Sequence, residues 1–274
     1  MPYGPWEPPE HFHHFVVATD FGGMSQRALA HGLALALRVR GRLEIVQVDG
    51  TDESYEIDGL PRIRDLLYRW GKIVDPTDRS DIYGKLGLVV DKRLVGDGAA
   101  VTAAEQRRSS GAVWMIATDG PDGWLHDWQP VAMEAAITAG LPVLLVPAEG
   151  PTIISLDGRT SVGRVLVAIT AAAADLDVLA VAQALFRTLG FTPEVRVIAV
   201  GACPPEALDG APPAWSRMVR RGDVAMAIAD EALGWHADVV IVRRLGAGES
   251  HEPLLGPIGD TLLARVECPL LVVP

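Results

Sequence analysis

Short runs of aliphatic and β-branched residues recur along the chain, separated by longer stretches in which apolar positions follow helical spacing. The first run, Phe15-Val-Val-Ala-Thr-Asp20, leads into an alanine- and leucine-rich stretch from Ala28 to Leu37, then Gly41 and a second run, Glu44-Ile-Val-Gln-Val48. Ile63, Leu66, Leu67 and Trp70 fall at i, i+3, i+4 and i+7, which predicts one apolar face of a helix. The runs Ala112-Val-Trp-Met-Ile-Ala117 and Leu141-Pro-Val-Leu-Leu-Val-Pro147 are apolar almost without interruption, the pattern of parallel strands covered on both faces. Strands alternating with helices through right-handed crossovers predict an α/β fold with a doubly wound parallel sheet.

The pattern occurs twice. Val165-Leu-Val-Ala-Ile-Thr170 echoes the first run, Leu179 to Leu189 the helical stretch, Gly190 the glycine, and Glu194-Val-Arg-Val-Ile-Ala-Val200 the second strand. Arg221-Gly222-Asp223 matches Val95-Gly96-Asp97, and Ala237 to Val242 matches Ala112 to Ala117. Both copies close alike, on Leu141 to Pro147 and on Cys268-Pro-Leu-Leu-Val-Val-Pro274. Seven matches in one order define two tandem units, each expected to be a five-stranded parallel sheet of order 3-2-1-4-5. The expected boundaries are an N-terminal arm over 1–14, a first domain over 15–147, a linker over 148–162 and a second domain over 163–274. Four prolines between Gly201 and Pro213 predict that the second unit lacks the corresponding helix there.

Composition narrows the function. The net charge is −11, and it divides evenly: 14 basic against 20 acidic side chains in residues 1–148, and 10 against 15 in the remainder. Neither unit offers the basic field that nucleic-acid binding needs. Two cysteines, Cys203 and Cys268, build no disulfide framework and suit a reducing compartment. The apolar runs are too short to span a bilayer, and the N-terminus has no signal-peptide pattern, so a cytoplasmic protein is expected, with neither nucleic acid nor membrane as partner.

In a doubly wound sheet the ligand crevice lies beyond the carboxyl ends of the strands, where strand order reverses. The first unit brings Thr19-Asp20-Phe21-Gly22-Gly23 and Gly120-Pro-Asp-Gly123 to that end, and the second brings Gly246-Ala-Gly248. Glycines there let backbone N–H groups approach an anion. Phe15 to Ala36, together with the closing Cys268-Pro269 step, resembles the universal stress protein family over nearly the whole chain, excluding arm and linker. In ATP-binding members an aspartate after the first strand holds the nucleoside, the second strand's end meets adenine, and a Gly-x2-Gly-x9-Gly-Ser/Thr loop wraps the phosphates. The resemblance therefore implies ATP or AMP contacts at Asp20, Val48, Gly120 and Gly123, and more weakly at Val200, Gly246, Gly248 and Gly256. It also implies that the last strands, Leu141–Val146 and Leu270–Val273, pair within the chain and mimic the family's homodimer. A homodimer of the whole chain and an unidentified protein partner complete the expected associations.

Departures from the family pattern bear on phosphate binding. Gln129-Pro130 stands where Gly-Ser/Thr is expected in the first unit, and Pro257 follows Gly256 in the second, where Thr170 also replaces the aspartate. Proline has neither N–H nor hydroxyl. Both phosphate loops are short and carry acids, Asp122 and Asp127 in one and Glu249 and Glu252 in the other. Arg243 and Arg244, at the end of the second unit's fourth strand, could meet an anion, but a salt bridge is the favoured reading. His11, His13 and His14 read as part of the arm, with no metal set around them. Cys268 reads as packing, and Cys203 has no base beside it in sequence. No nucleophile elbow, Gly-Lys-Ser/Thr loop or His-Glu-x-x-His motif occurs. The expectation is a non-catalytic stress-response sensor or scaffold; the alternatives are a nucleotide-dependent enzyme on the same sheet and an interaction module that binds no nucleotide.

Overall fold

The computed structural model describes residues 9–19, 25–49, 62–78, 82–96, 104, 111–118, 128–169, 176–190, 192–201, 208–244 and 255–274. The first unit runs β1 (His14–Thr19), α1 (Ser25–Val39), β2 (Arg42–Asp49), α2 (Ile63–Arg69), α3 (Ile82–Leu86), β3 (Val89–Gly96), β4 (Ala112–Thr118), α4 (Trp128–Thr138) and β5 (Val143–Pro147). The second runs β6 (Arg164–Ile169), α5 (Leu176–Leu189), β7 (Glu194–Val200), β8 (Ser216–Arg220), α6 (Val224–Trp235), β9 (Val239–Arg243), α7 (Gly256–Leu263) and β10 (Leu270–Val273). Among the described residues no α-helix lies between β7 and β8.

Each unit has the expected 3-2-1-4-5 order, but the two are not separate sheets. They merge into one ten-stranded sheet, β3-β2-β1-β4-β5-β10-β9-β6-β7-β8, joined where β5 and β10 run antiparallel. Leu145 faces Leu270, Leu144 faces Leu271 and Val143 faces Val272. Every other pairing is parallel.

The two-residue period of a strand sorts the apolar runs between two cores. Val17, Ile45, Met115, Val146, Val167, Val197, Ile241 and Val273 face one side, beneath α1, α2 and α5. Val16, Val46, Trp114, Leu145, Leu166, Ile198, Val242 and Leu270 face the other, beneath α4, α6 and α7. Each core therefore runs through both units. Close packing of α1 on the sheet depends on Gly32, where an added β-carbon would collide with Val17 and crowd Leu43. The predicted α2 face is seated as expected: Ile63 and Leu67 are buried, while Leu66 and Trp70 flank them.

Two segments differ from the sequence reading. The end of the supposed arm is anchored: Phe12 is fully buried, its N–H donates to Thr188 Oγ1 at 2.9 Å, and Arg187 Nε donates to Glu10 O. His14 is the first residue of β1 and lies 3.2 Å from the buried Glu44 carboxylate. The reason is apolar: Phe12, two positions before a core strand, joins the core beneath α1, α2 and α5. The linker is likewise fixed. Ile153 and Ile154 are buried, Ile154 bridges Thr160, and Trp70 Nε1 donates to Leu156 O at 2.8 Å. Gly158, at φ 78, passes directly beneath the Trp70 ring, where a β-carbon would clash.

Each unit also buries an ionic cluster. In the first, Glu44 meets His14 and Arg93, the latter at 2.9 Å. In the second, Glu231 of α6 pairs with Arg196 of β7 and with Arg220 of β8 at 3.1 Å, and the Arg196 guanidinium stacks 4.2 Å from the Trp235 ring centre. The outer strands β3 and β8 carry Lys92, Arg93, Arg217 and Arg220, charges that discourage edge-to-edge pairing.

Candidate functional site

The strand order reverses between β1 and β4 in the first unit and between β6 and β9 in the second, so a crevice is set at each carboxyl end. At the first, β1 ends in Thr19 and β4 in Ala117 and Thr118, all of them buried and small. At the second, β9 ends in Arg243, followed by Arg244.

Pairing registers align the two units residue by residue. Ala117 faces Val146, and Arg243 faces Val273; Val146 and Val273 each precede the proline that closes their repeat. Ala117 and Arg243 thus hold the same position, and Thr118 corresponds to Arg244. Arg243 shares the sheet face of Val273 and Ile241, beneath the α5 side. Its Nη1 is buried and has no hydrogen-bond partner, so the salt bridge favoured from sequence is not what this nitrogen makes.

The helices that follow β4 and β9 differ in a complementary way. Gln129 and Gly256 each lie twelve residues before the residue that opens the last repeat, Leu141 or Cys268. Gln129 is fully buried in the first turn of α4, and its amide nitrogen donates to Ala117 O at 2.5 Å. Gly256 begins α7 at φ 75, a left-handed conformation that a residue with a β-carbon resists. Pro257 sits in the first turn of α7, where its missing N–H costs nothing, and its carbonyl accepts from Thr261 Oγ1 at 2.8 Å.

Of the residues singled out from sequence, Val48 is the penultimate residue of β2 and Val200 the last of β7, opposite Val95 and Arg220. Asp20, Gly120, Gly123, Gly246 and Gly248 lie outside the described residues, as do Thr170, Asp122, Asp127, Glu249, Glu252 and Cys203. Gln129 was visible in sequence only as a departure from a glycine; its reach back to the β4 carbonyl needed the fold.

His31 carried no sequence signal beyond being a histidine among apolar helix positions. It is fully buried on α1, with Nδ1 2.7 Å from Arg27 O and Nε2 3.0 Å from Thr152 Oγ1. The carbonyl requires a proton on Nδ1, and with the pKa held low the ring is neutral near pH 7, which leaves Nε2 as its acceptor. Burial, the chief cause, holds its pKa down at about 4. Beside it Arg27 donates to Pro147 O at 2.9 Å and Gly150 O at 2.8 Å, tying the exit of β5 to α1. Cys268 is also buried, and burial pushes its thiol up to about 12, which leaves it packing rather than nucleophilic. Among the described residues no group of three or more histidine, cysteine or acidic side chains is placed to hold a metal, and no helix is long and apolar enough to cross a membrane.

Comparison with known proteins places this geometry. Residues 204–274 match the profile of the universal stress protein family. A universal stress protein from Archaeoglobus fulgidus DSM 4304 superposes with a TM-score of 0.64 at 16% identity, covering 97% of this chain and 98% of that one. A functionally unknown protein from Pseudomonas aeruginosa PAO1 superposes with a TM-score of 0.63 at 14% identity, covering 96% and 93%. No curated protein matches the chain by sequence. Residues 204–274 of the second unit are thus similar to the universal stress protein family, and the first unit repeats the strand order of the second.

Proposed function

We propose that this chain is a non-catalytic, cytoplasmic stress-response scaffold that takes an adenine nucleotide, ATP or AMP, in the crevice of its first unit. One observation carries the choice of unit. The strand tips Ala18, Thr19, Ala117 and Thr118 of the first unit carry small side chains, whereas the second unit has Arg243 and Arg244 at the matching strand end. Asp20 follows directly on Thr19 and supplies the carboxylate that a nucleoside's hydroxyl and amino groups would donate to. Gln129 at the start of α4, followed by Pro130, leaves few donors for phosphates, so most of the binding energy falls on the nucleoside. The two described groups with the largest proton-affinity changes, His31 and Cys268, are engaged in packing, which favours a scaffold over an enzyme.

Calorimetric titration of the wild type and Asp20→Ala with ATP and AMP tests this reading. AMP is expected to bind within about threefold of ATP, and Asp20→Ala to weaken both by about 10-fold, the worth of a charged hydrogen-bond acceptor. Absence of binding heat, or affinities indifferent to Asp20, would count against it. Nucleotide turnover above the rate in buffer would point instead to the enzyme alternative.

A further inference from the structure

The sheet ends on β8, and no strand lies beyond it among the described residues. Arg220 O accepts from Gly201 N on the β7 side, so strand alternation turns the N–H and C=O of Arg217 and Val219 outward, away from β7. The Arg217 and Val219 side chains share one sheet face, level with Val197 and Ala199, and Val219 is 45% exposed there. Met218 and Arg220 point to the other face, beneath α6, where an open groove of about 490 Å³ lies between that helix and the strand.

Charge distinguishes this edge from its counterpart in the first unit. Residues 215–222 contain three arginines and no acid, in a chain of net charge −11. Arg220 shares the Glu231 carboxylate with Arg196, and Arg217 donates to the neutral carbonyl of Ala211 at 2.7 Å. Arg221 is exposed and joins no ion pair among the described residues. The groove sets Arg196, Arg220 and Arg221 against Asp230 and Glu231, with Trp235 as its apolar wall. On β3, by contrast, Arg93 meets Glu44 and Asp91 meets Arg42, so those charges are matched. A second β8 edge would bring arginine against arginine, whereas an acidic strand would bring carboxylates to them.

We propose that β8 is a docking edge for an extended acidic segment of a partner protein, which adds a strand to the sheet. Main-chain bonds to Arg217 and Val219 hold the segment, its acidic side chains enter the groove beside Arg220 and Arg221, and its apolar ones lie along Val219. The inference rests on the scaffold reading and gives it a surface and a class of partner. It does not involve the nucleotide crevice, so its failure leaves the outcome of the nucleotide titration untouched.

The experiment is fluorescence anisotropy, without nucleotide, of a labelled peptide of alternating glutamate and valine. The proteins are the full-length wild type, Arg221→Glu and Val219→Pro. Saturable binding is expected in the wild type, weakened about 10-fold or more by Arg221→Glu. Val219→Pro removes an outward N–H and keeps the bonds to β7, so binding about 10-fold weaker at an unchanged melting temperature is expected. Should Val219→Pro melt well below the wild type, two peptides N-methylated in alternate frames carry the test on the wild-type protein, one of them losing binding. A peptide with lysine in place of glutamate should not bind. No saturable binding by the wild type, wild-type affinity in either variant, or full binding of both N-methylated peptides would overturn the proposal. So would self-association of the wild type that Val219→Pro abolishes, since the occupant would then be a second copy of this chain.

Discussion

Glu44 and Arg196 occupy the same place in the two halves of the sheet with opposite charge. Glu44 faces Val16 on β1, and Arg196 faces Leu166 on β6, the residue that repeats Val16. Each is compensated differently. Glu44 draws on His14 and Arg93 from the strands beside it, whereas Arg196 draws on Glu231 from α6 above it and stacks on Trp235. The fold thus asks this position for a satisfied ion and is indifferent to its sign, provided a neighbour supplies the counter-charge.

Removing the acid from either cluster should therefore destabilise the protein, because the partner cations stay partly buried. Glu44→Gln and Glu231→Gln are each expected to cost ~2 kcal/mol, less than a deeply buried pair because Arg93 and Arg220 reach solvent. Urea denaturation should show lower midpoints with unchanged slopes. Midpoints equal to wild type would mean that the clusters contribute no net stability.

The seam between β5 and β10 offers a sharper test. Leu145 and Leu270 face each other, each 1% exposed, so Leu145→Lys would bury an unpaired ammonium in the shared core. A loss of about 3–5 kcal/mol is expected, seen by thermal melting. Val74→Lys, at a position 95% exposed, is the control and should leave the melting temperature unchanged. A Leu145→Lys protein as stable as that control would show that the strands do not meet in solution.

Acid should weaken the clamp around His31. Its pKa falls from the ordinary 6.5 to about 4 in the fold, chiefly through burial. Between these values the unfolded chain holds a proton that the folded chain does not, so stability declines as pH drops from 6.5 towards 4 and this contribution levels off below. The full loss amounts to ~3 kcal/mol. His31→Leu should have a shallower pH–stability profile through that window. Parallel profiles for the two proteins would rule out the linkage.

Cys268 should resist thiol reagents. With its pKa pushed up to about 12 and the side chain at the start of a core strand, almost no thiolate exists at neutral pH. In a Cys203→Ser background, Ellman's reagent should find no reactive thiol in the native protein and one per chain in denaturant. Prompt native labelling would contradict the burial.

Much of this was written locally in the chain. The parity of Val16 and Val17, or of Leu144 and Leu145, already assigns each side chain to one of two cores, and the ordered repeats define the units. Long-range contacts were not legible. Phe12 reads as part of a proline-rich tail until Thr188, far along the chain, is brought beside it, and the linker reads as loose until Trp70 is found over Gly158. The meeting of the two sheets through β5 and β10 was implied by the family resemblance rather than by any local pattern. At the crevices, sequence marked Gln129 only as a departure from a glycine and Arg243 as an anion or salt-bridge partner. That one donates to a strand carbonyl and the other has a donor to spare depends on backbone positions no spacing rule contains.

The antiparallel meeting of β5 and β10 has an evolutionary corollary. When two identical subunits meet across a twofold axis, every mutation appears on both sides at once, and a change useful in one pocket is forced on the other. Here the two sides are encoded separately, and dilution cannot part them because the chain itself is the tether. Selection can then keep a methyl at position 117 while placing a cation at position 243, giving one molecule two pockets free to specialise for different occupants.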